Sequence, residues 1–222
     1  MSRIAFCCSI AILLVLLINS TAISAADLVY DDFNDGEAGT NQGGLVGTMS
    51  PDLNGDNVGE YDPTVNFTND SYEGSFALSL TYSMPSGQWC GYWSYANDTD
   101  PNSPPQSTID VSGYGELRFA ARGTKGNEQI KVELTSSSSE ASYKYVTVPG
   151  TSWGEIVIKL TELTKVPWIP NPVNLSALRQ INFIFDRSPY SSTVYLDYIR
   201  FTGGTSALQN PTASFTYSPA SP

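Results

Sequence analysis

Between residues 75 and 201, apolar side chains recur at every second position in short runs, each closed by glycine, proline, asparagine or serine. Residues 75–82 (SFALSLTY) put Phe76, Leu78 and Leu80 on one face, and residues 116–122 (ELRFAAR) do the same with Leu117, Phe119 and Ala121. Residues 129–134 (QIKVEL) align Ile130, Val132 and Leu134, and residues 142–148, 154–160, 180–185 and 193–201 continue the pattern. A period of two sends successive side chains to opposite faces of a strand, so these runs predict an all-β fold, an antiparallel β-sandwich. Residues 161–163 and 175–178 read as single helical turns in the connections. Residues 36–63, rich in glycine, asparagine and aspartate, show little strand character.

The same alternation sorts the other face. If Leu117, Phe119, Ile130, Val132, Leu134, Val146 and Val148 point inward, then Arg118, Lys131, Glu133, Tyr143, Tyr145 and Thr147 point outward. Tyrosines among charges suit a sugar-binding sheet, because rings stack on the apolar face of a pyranose while charged groups bond its hydroxyls. An ordinary solvated sheet face has a similar composition, since Tyr and Thr favour strands. In residues 87–95 (GQWCGYWSY), Trp89, Gly91, Trp93 and Tyr95 share one face, and Cys90, Tyr92 and Ser94 the other. Burying one large ring stabilises by roughly 2–3 kcal/mol, which assigns the tryptophan set to the core and leaves Tyr92 on the open side.

Composition narrows the chemistry. The chain has 11 Lys and Arg against 22 Asp and Glu and no histidine, a net charge of −11. That balance argues against nucleic acid and anionic membrane surfaces as partners and suits neutral ligands and divalent cations. Without histidine, serine–histidine and cysteine–histidine catalysis and the usual zinc sites are excluded. A glycosidase or lyase would need two carboxylates flanking a cleft; Glu133 with Asp186 or Glu155 are the pairs to consider. The Asp52–Asn54–Asp56 alternation resembles a calcium loop, but Asn57 and Pro63 depart from that pattern, and a solvated polar turn is the better reading.

The ends suggest export. Arg3, the apolar run 10–18 and Ser24-Ala25-Ala26 have the form of a secretory signal peptide over residues 1–26, so a secreted or cell-surface protein is expected. Cys7 and Cys8 would leave with it, and Cys90 would remain without a disulfide partner. Residues 27–202 then form one sandwich domain, and 203–209 a linker. Residues 210–222 are read as the start of a further domain: PTASFTYSPASP (211–222) resembles the first strand of a PKD-type domain, which implies further covalently linked domains.

Taken in order, VYDDFNDG, GQWCGYWSY, IDVSGYGELRFAARG, IKVEL, SWGEIVIKLTEL, LRQINFIFD and TVYLDYIRF resemble galactose-binding-like jelly-roll domains, nearest to the family 11 type of carbohydrate-binding module. The resemblance spans nearly all of residues 28–201. It implies two sheets, one concave and open, and a non-catalytic module that lays a polysaccharide such as a β-glucan across that face. A structural or adhesion domain without a glycan site is the alternative. The resemblance places a ligand-stacking aromatic at Tyr92 and a second at Phe185, although alternation alone would bury Phe185 with Phe183; Asn182, on the same run, is a further candidate. With Tyr143, Tyr145, Arg118 and Glu133, these residues make up the expected binding set. The resemblance also implies a structural calcium tying the first strand to the last through Asp32, Asn34 and Asp197. Many relatives have Glu where Asn34 stands, and Asp31 or Asp35 are the acids able to supply the missing charge.

Overall fold

A computed structural model describes residues 26–100, 107–187 and 190–203. Residues 1–25 of the expected leader, most of the expected linker and the PKD-like strand lie outside the described residues. The strands in chain order are β1 (Leu28–Asp31), β2 (Val46–Met49), β3 (Thr64–Thr68), β4 (Ala77–Ser83), β5 (Cys90–Tyr95) and β6 (Glu116–Gly123). They continue with β7 (Gln129–Ser137), β8 (Glu140–Thr147), β9 (Gly154–Lys159), β10 (Thr164–Lys165), β11 (Gln180–Phe185) and β12 (Ser191–Thr202). Single 3-10 turns occupy Leu160–Glu162 and Leu175–Ala177, close to the expected places.

Two antiparallel sheets face each other. One runs β3-β4-β12-β6-β9, with β1 also paired to β12; the other runs β10-β8-β7-β11-β5-β2. The predicted sandwich is what forms. β1 is expected only through the resemblance, as the first strand, and β2, β3 and β10, of 4, 5 and 2 residues, are too short to show a clear alternation. β2 also lies inside the glycine-rich stretch. Strand β12 pairs with β4 through Leu196 and with β1 from Ile199 onward. Both ladders that flank this exchange shift register there, between Asp197 and Arg200 and between Val29 and Asp31. Tyr198 takes a left-handed φ of 48° at this kink.

Between the sheets, Leu78 and Leu80 of β4, Leu117 and Phe119 of β6, Ile130, Val132 and Leu134 of β7, and Val194 and Leu196 of β12 are all fully buried. Phe119 meets Phe183 edge-on at 5.4 Å, and Tyr82 stacks on Phe185 at 4.4 Å. Phe185 is therefore a core residue, which corrects its expected role as a ligand aromatic. Strict alternation along β11 holds, with no bulge to turn the ring outward.

Tyr92 is also corrected: it is 1% exposed and faces the core. The cause is register. Directly opposed residues share a face, and β11 sets Phe183 against Tyr92 and Phe185 against Cys90. With Phe183 and Phe185 inside, Cys90, Tyr92 and Ser94 must go inside too, and the larger rings of β5 go out. Burial pushes the Cys90 thiol up to about 12, so it remains an inert packing group. Truncation by Tyr92→Ala should cost about 3–5 kcal/mol of stability in urea unfolding, while Tyr92→Phe keeps the packed ring and most of that stability. An unchanged midpoint for Tyr92→Ala would overturn the core assignment.

Candidate functional site

The outer face of the β10-β8-β7-β11-β5-β2 sheet collects the polar and aromatic side chains that the core refuses. One cross-strand row reads Gly47, Trp93, Asn182, Glu133, Tyr143 and Thr164, and the next reads Met49, Gly91, Ile184, Lys131 and Tyr145. From Trp93 on β5 to Tyr143 on β8 there are three inter-strand steps, about 14 Å. A cleft of about 320 Å³ lies over these rows, lined by Met49, Trp89, Lys131, Glu133, Trp168, Asn182, Ile184 and Asp186.

The cleft floor is a polar string. Lys131 Nζ pairs with Glu133 Oε2 at 2.7 Å, Asn182 Nδ2 approaches Glu133 Oε1 at 3.4 Å, and Gln180 Nε2 donates to Asn182 Oδ1 at 2.6 Å. The Lys131 ammonium also lies 5.1 Å from the ring centres of both Tyr143 and Trp168. It is 6% exposed, so its charge is held by one carboxylate and two π-faces. The Tyr145 hydroxyl donates to Asp186 Oδ2 at 2.7 Å, and the Arg187 guanidinium lies 3.4 Å over the Tyr145 ring. Burial, then the Asp186 hydrogen bond, pushes the Tyr145 phenol up to about 12, so it stays a donor. The other oxygen of Asp186 is buried in the cleft wall with no partner.

The rims are aromatic. Trp93 lies against Tyr95, ring centres 5.0 Å apart, and its indole N–H donates to the Thr48 carbonyl at 3.0 Å. On the opposite side Trp168, 73% exposed, stands in the turn after β10. Tyr143, Tyr145, Glu133 and Asn182 thus come together as expected. Arg118 does not: it sits on β6 in the other sheet, bound to Glu116 at 2.6 Å and Glu155 at 2.7 Å. Alternation gives a side chain's face but not which sheet the face belongs to, and that corrects Arg118. Sequence reasoning also missed Trp89, Trp93 and Trp168 as site residues. Trp168 carried a signal, since it stands between Pro167 and Pro170 with no alternating run around it to bury the ring.

A second constellation sits where β12 changes partners. Asp31 and Asp197 are 2% and 0% exposed, and each has one carboxylate oxygen, Oδ2 and Oδ1 respectively, without a partner. The remaining oxygens are used: Asp31 Oδ1 accepts from Phe33 N at 3.0 Å, and Asp197 Oδ2 accepts from Tyr72 N at 2.7 Å and Glu73 N at 3.0 Å. Asn34 Oδ1 accepts from Ser75 N at 2.6 Å, so it grips the same loop as Asp197. Burial pushes Asp31 up to about 8, with the charges of Asp35, Asp32 and Asp197 adding to it, and pushes Asp197 up to about 6. Asp32 is displaced from its expected place: its Oδ1 accepts from Asn34 N at 3.1 Å in a local turn, and its neighbour Asp31 is the buried acid. Among the described residues no group of three or more Asp, Glu, Cys or His side chains gathers as a metal cage. The Asp52 loop is self-capped, with Asp52 accepting from Gly55 N at 2.6 Å and Asn57 N at 2.8 Å, as a polar turn should be.

The profile of the family described as carbohydrate binding domain 30 matches residues 40–203. No curated protein matches. Among solved structures, the fold is similar to the family 11 carbohydrate-binding module from Clostridium thermocellum in complex with a β-1,3-1,4-mixed-linked tetrasaccharide. That pair shares 15% identity over 83% of this chain and 98% of the other, with a TM-score of 0.61. It is also similar to the family 11 module of the cellulosomal cellulase Lic26A-Cel5E of the same organism, at 14% identity over 81% and 96% of the two chains and a TM-score of 0.61. The family 30 module of the cellulosomal cellulase Cel9D-Cel44B of Clostridium thermocellum shares 18% identity over 82% and 95%, with a TM-score of 0.51. At these identities the likeness concerns the fold.

An indole as exposed as Trp168 adds little to folding. Trp168→Ala should leave unfolding free energy within about 0.5 kcal/mol of the parent. A loss of several kcal/mol would make that ring a structural element.

Proposed function

The chain belongs to the carbohydrate binding domain 30 family, a family of non-catalytic modules, and from that premise we propose that it binds a β-glucan chain laid across the strands of the outer cleft. The observation that carries the reading is the exposed Trp168, standing opposite Trp93 across a floor whose polar groups are already ordered. Rings at the rims stack on the apolar faces of sugar units, and the polar floor groups of Glu133 and Asn182 bond their hydroxyls. The net charge of −11 suits a neutral glycan better than an acidic one. Glu133 and Asp186 do share the cleft, but Glu133 is tied to Lys131 and Asp186 to Tyr145. Glu155, on the other sheet, is bound to Arg118 and Arg200. We read the protein as secreted and joined to further domains of a glycan-active enzyme, consistent with the cellulosomal setting of the similar modules. A few stacks and hydrogen bonds give a Kd on the order of 0.1 mM, which a polysaccharide with many sites amplifies.

Affinity electrophoresis in mixed-linked β-1,3-1,4-glucan tests this. The wild-type chain should be retarded, Trp168→Ala should lose most of that retardation, and Arg118→Ala, on the other sheet, should keep it. Loss in Arg118→Ala with retention in Trp168→Ala would move the site to the opposite face. Absence of retardation in a panel of β-glucans, xylans and mannans would favour a spacer domain.

The reading extends to calcium at Asp31 and Asp197. Two buried carboxylate oxygens without partners are of the donor type a hard cation takes. Such an ion would neutralise the pair and fasten β1 and the 72–75 loop to β12. Added calcium should raise the melting temperature and EDTA should reverse the rise. Asp197→Ala and the milder Asp31→Asn should both blunt the response. A melting temperature indifferent to EDTA would remove the ion.

A further inference from the structure

Gly47 lies on β2 directly opposite Trp93, on the outer face. Its φ is outside the left-handed region, so its own backbone does not call for glycine. What calls for it is the ring. A Cβ built at residue 47 would run into Trp93 Cζ2 and stand 2.7 Å from Cε2. The indole therefore crosses β2 in the space a side chain would fill, and its N–H reaches the Thr48 carbonyl at 3.0 Å. Tyr95 packs against the same ring, centres 5.0 Å apart. The ring is thus pinned along the sheet, with its N–H already used, and it has only its face to offer.

We propose that Gly47 is the positioning residue of the β2 rim: its missing side chain lets Trp93 lie flat and present that face to the glycan. The inference rests on the cleft reading above, in which Trp93 is one of the stacking rings. A methyl at 47 lifts the ring, breaks the Thr48 bond and tilts the platform, while an extended edge strand accepts alanine.

The variants to compare are Gly47→Ala, Trp93→Ala and the double variant, each titrated with the β-1,3-1,4-mixed-linked tetrasaccharide by calorimetry. Gly47→Ala and Trp93→Ala should each weaken binding about tenfold, and the double variant should be no weaker than Trp93→Ala, because both act through one ring. Weakening by Trp93→Ala with Gly47→Ala unchanged overturns the positioning role and leaves the cleft reading standing. Multiplying effects in the double variant overturn it as well. Wild-type-like binding by Trp93→Ala removes Trp93 from the cleft and the proposal with it. A second readout needs no sugar. Gly47→Ala should shift the tryptophan emission of the parent, and should cause no shift in a Trp93→Phe background, whose shorter ring clears the methyl. An unshifted spectrum in the parent background would show that the ring never moved, whatever the tetrasaccharide does.

Discussion

Strand β12 is hydrogen-bonded to β4 over its first half and to β1 over its second, and the exchange takes place around Asp197 and Tyr198. A strand cannot change neighbours without leaving ladder groups open, so the backbone bulges there and side-chain carboxylates take over. Asp197 anchors the amides of Tyr72 and Glu73, and Asn34 anchors that of Ser75. The same spot buries two carboxylates close together. Asp31 and Asp197 are both buried, each with an open oxygen, and ionising both in that setting is unfavourable. The N-terminal strand, the loop before β4 and the long C-terminal strand all meet at this pair.

From there the connection to the outer cleft is short. Tyr30, next to Asp31, is fully buried, and its hydroxyl donates across the core to the Ser94 carbonyl at 2.7 Å. Ser94 lies between Trp93 and Tyr95 on β5. The inner residues of β5 fix the strand to the core, and its outer residues build the rim. One strand therefore joins the stability of the sandwich to the shape of the binding face.

The strands with strong alternation were legible because burial of one face imposes a period of two. Leu117, Phe119, Ile130, Val132 and Leu134 all point inward as read. The face of β5 was not legible, and the failure is instructive. Apolar area favours burying Trp89 and Trp93, but a face proposed to bind glycan keeps large rings toward solvent, so area alone ranks the two faces of β5 wrongly. The information that decides β5 lies in its partner: Phe183 and Phe185 of β11 are both buried and set the register for Cys90 and Tyr92, as alternation along β11 indicates and the resemblance at Phe185 did not. Arg118 failed differently, since local pattern carries no record of which sheet a strand joins. Asp31 was separated from Asp32 only by a bulge in β1, and a one-residue shift exchanges the inward and outward acids.

Trp168 sits in a turn flanked by Pro167 and Pro170, outside both sheets, and meets the cleft floor through a cation–π contact to Lys131. At 73% exposed it contributes little to the core. Substitutions within that turn can widen, narrow or re-tilt one wall of the cleft while the sandwich beneath keeps its packing. The two rims are therefore unequally free to diverge: the β2 side is locked into sheet geometry, and the proline-bounded side is where new glycan preferences can accumulate without loss of the fold.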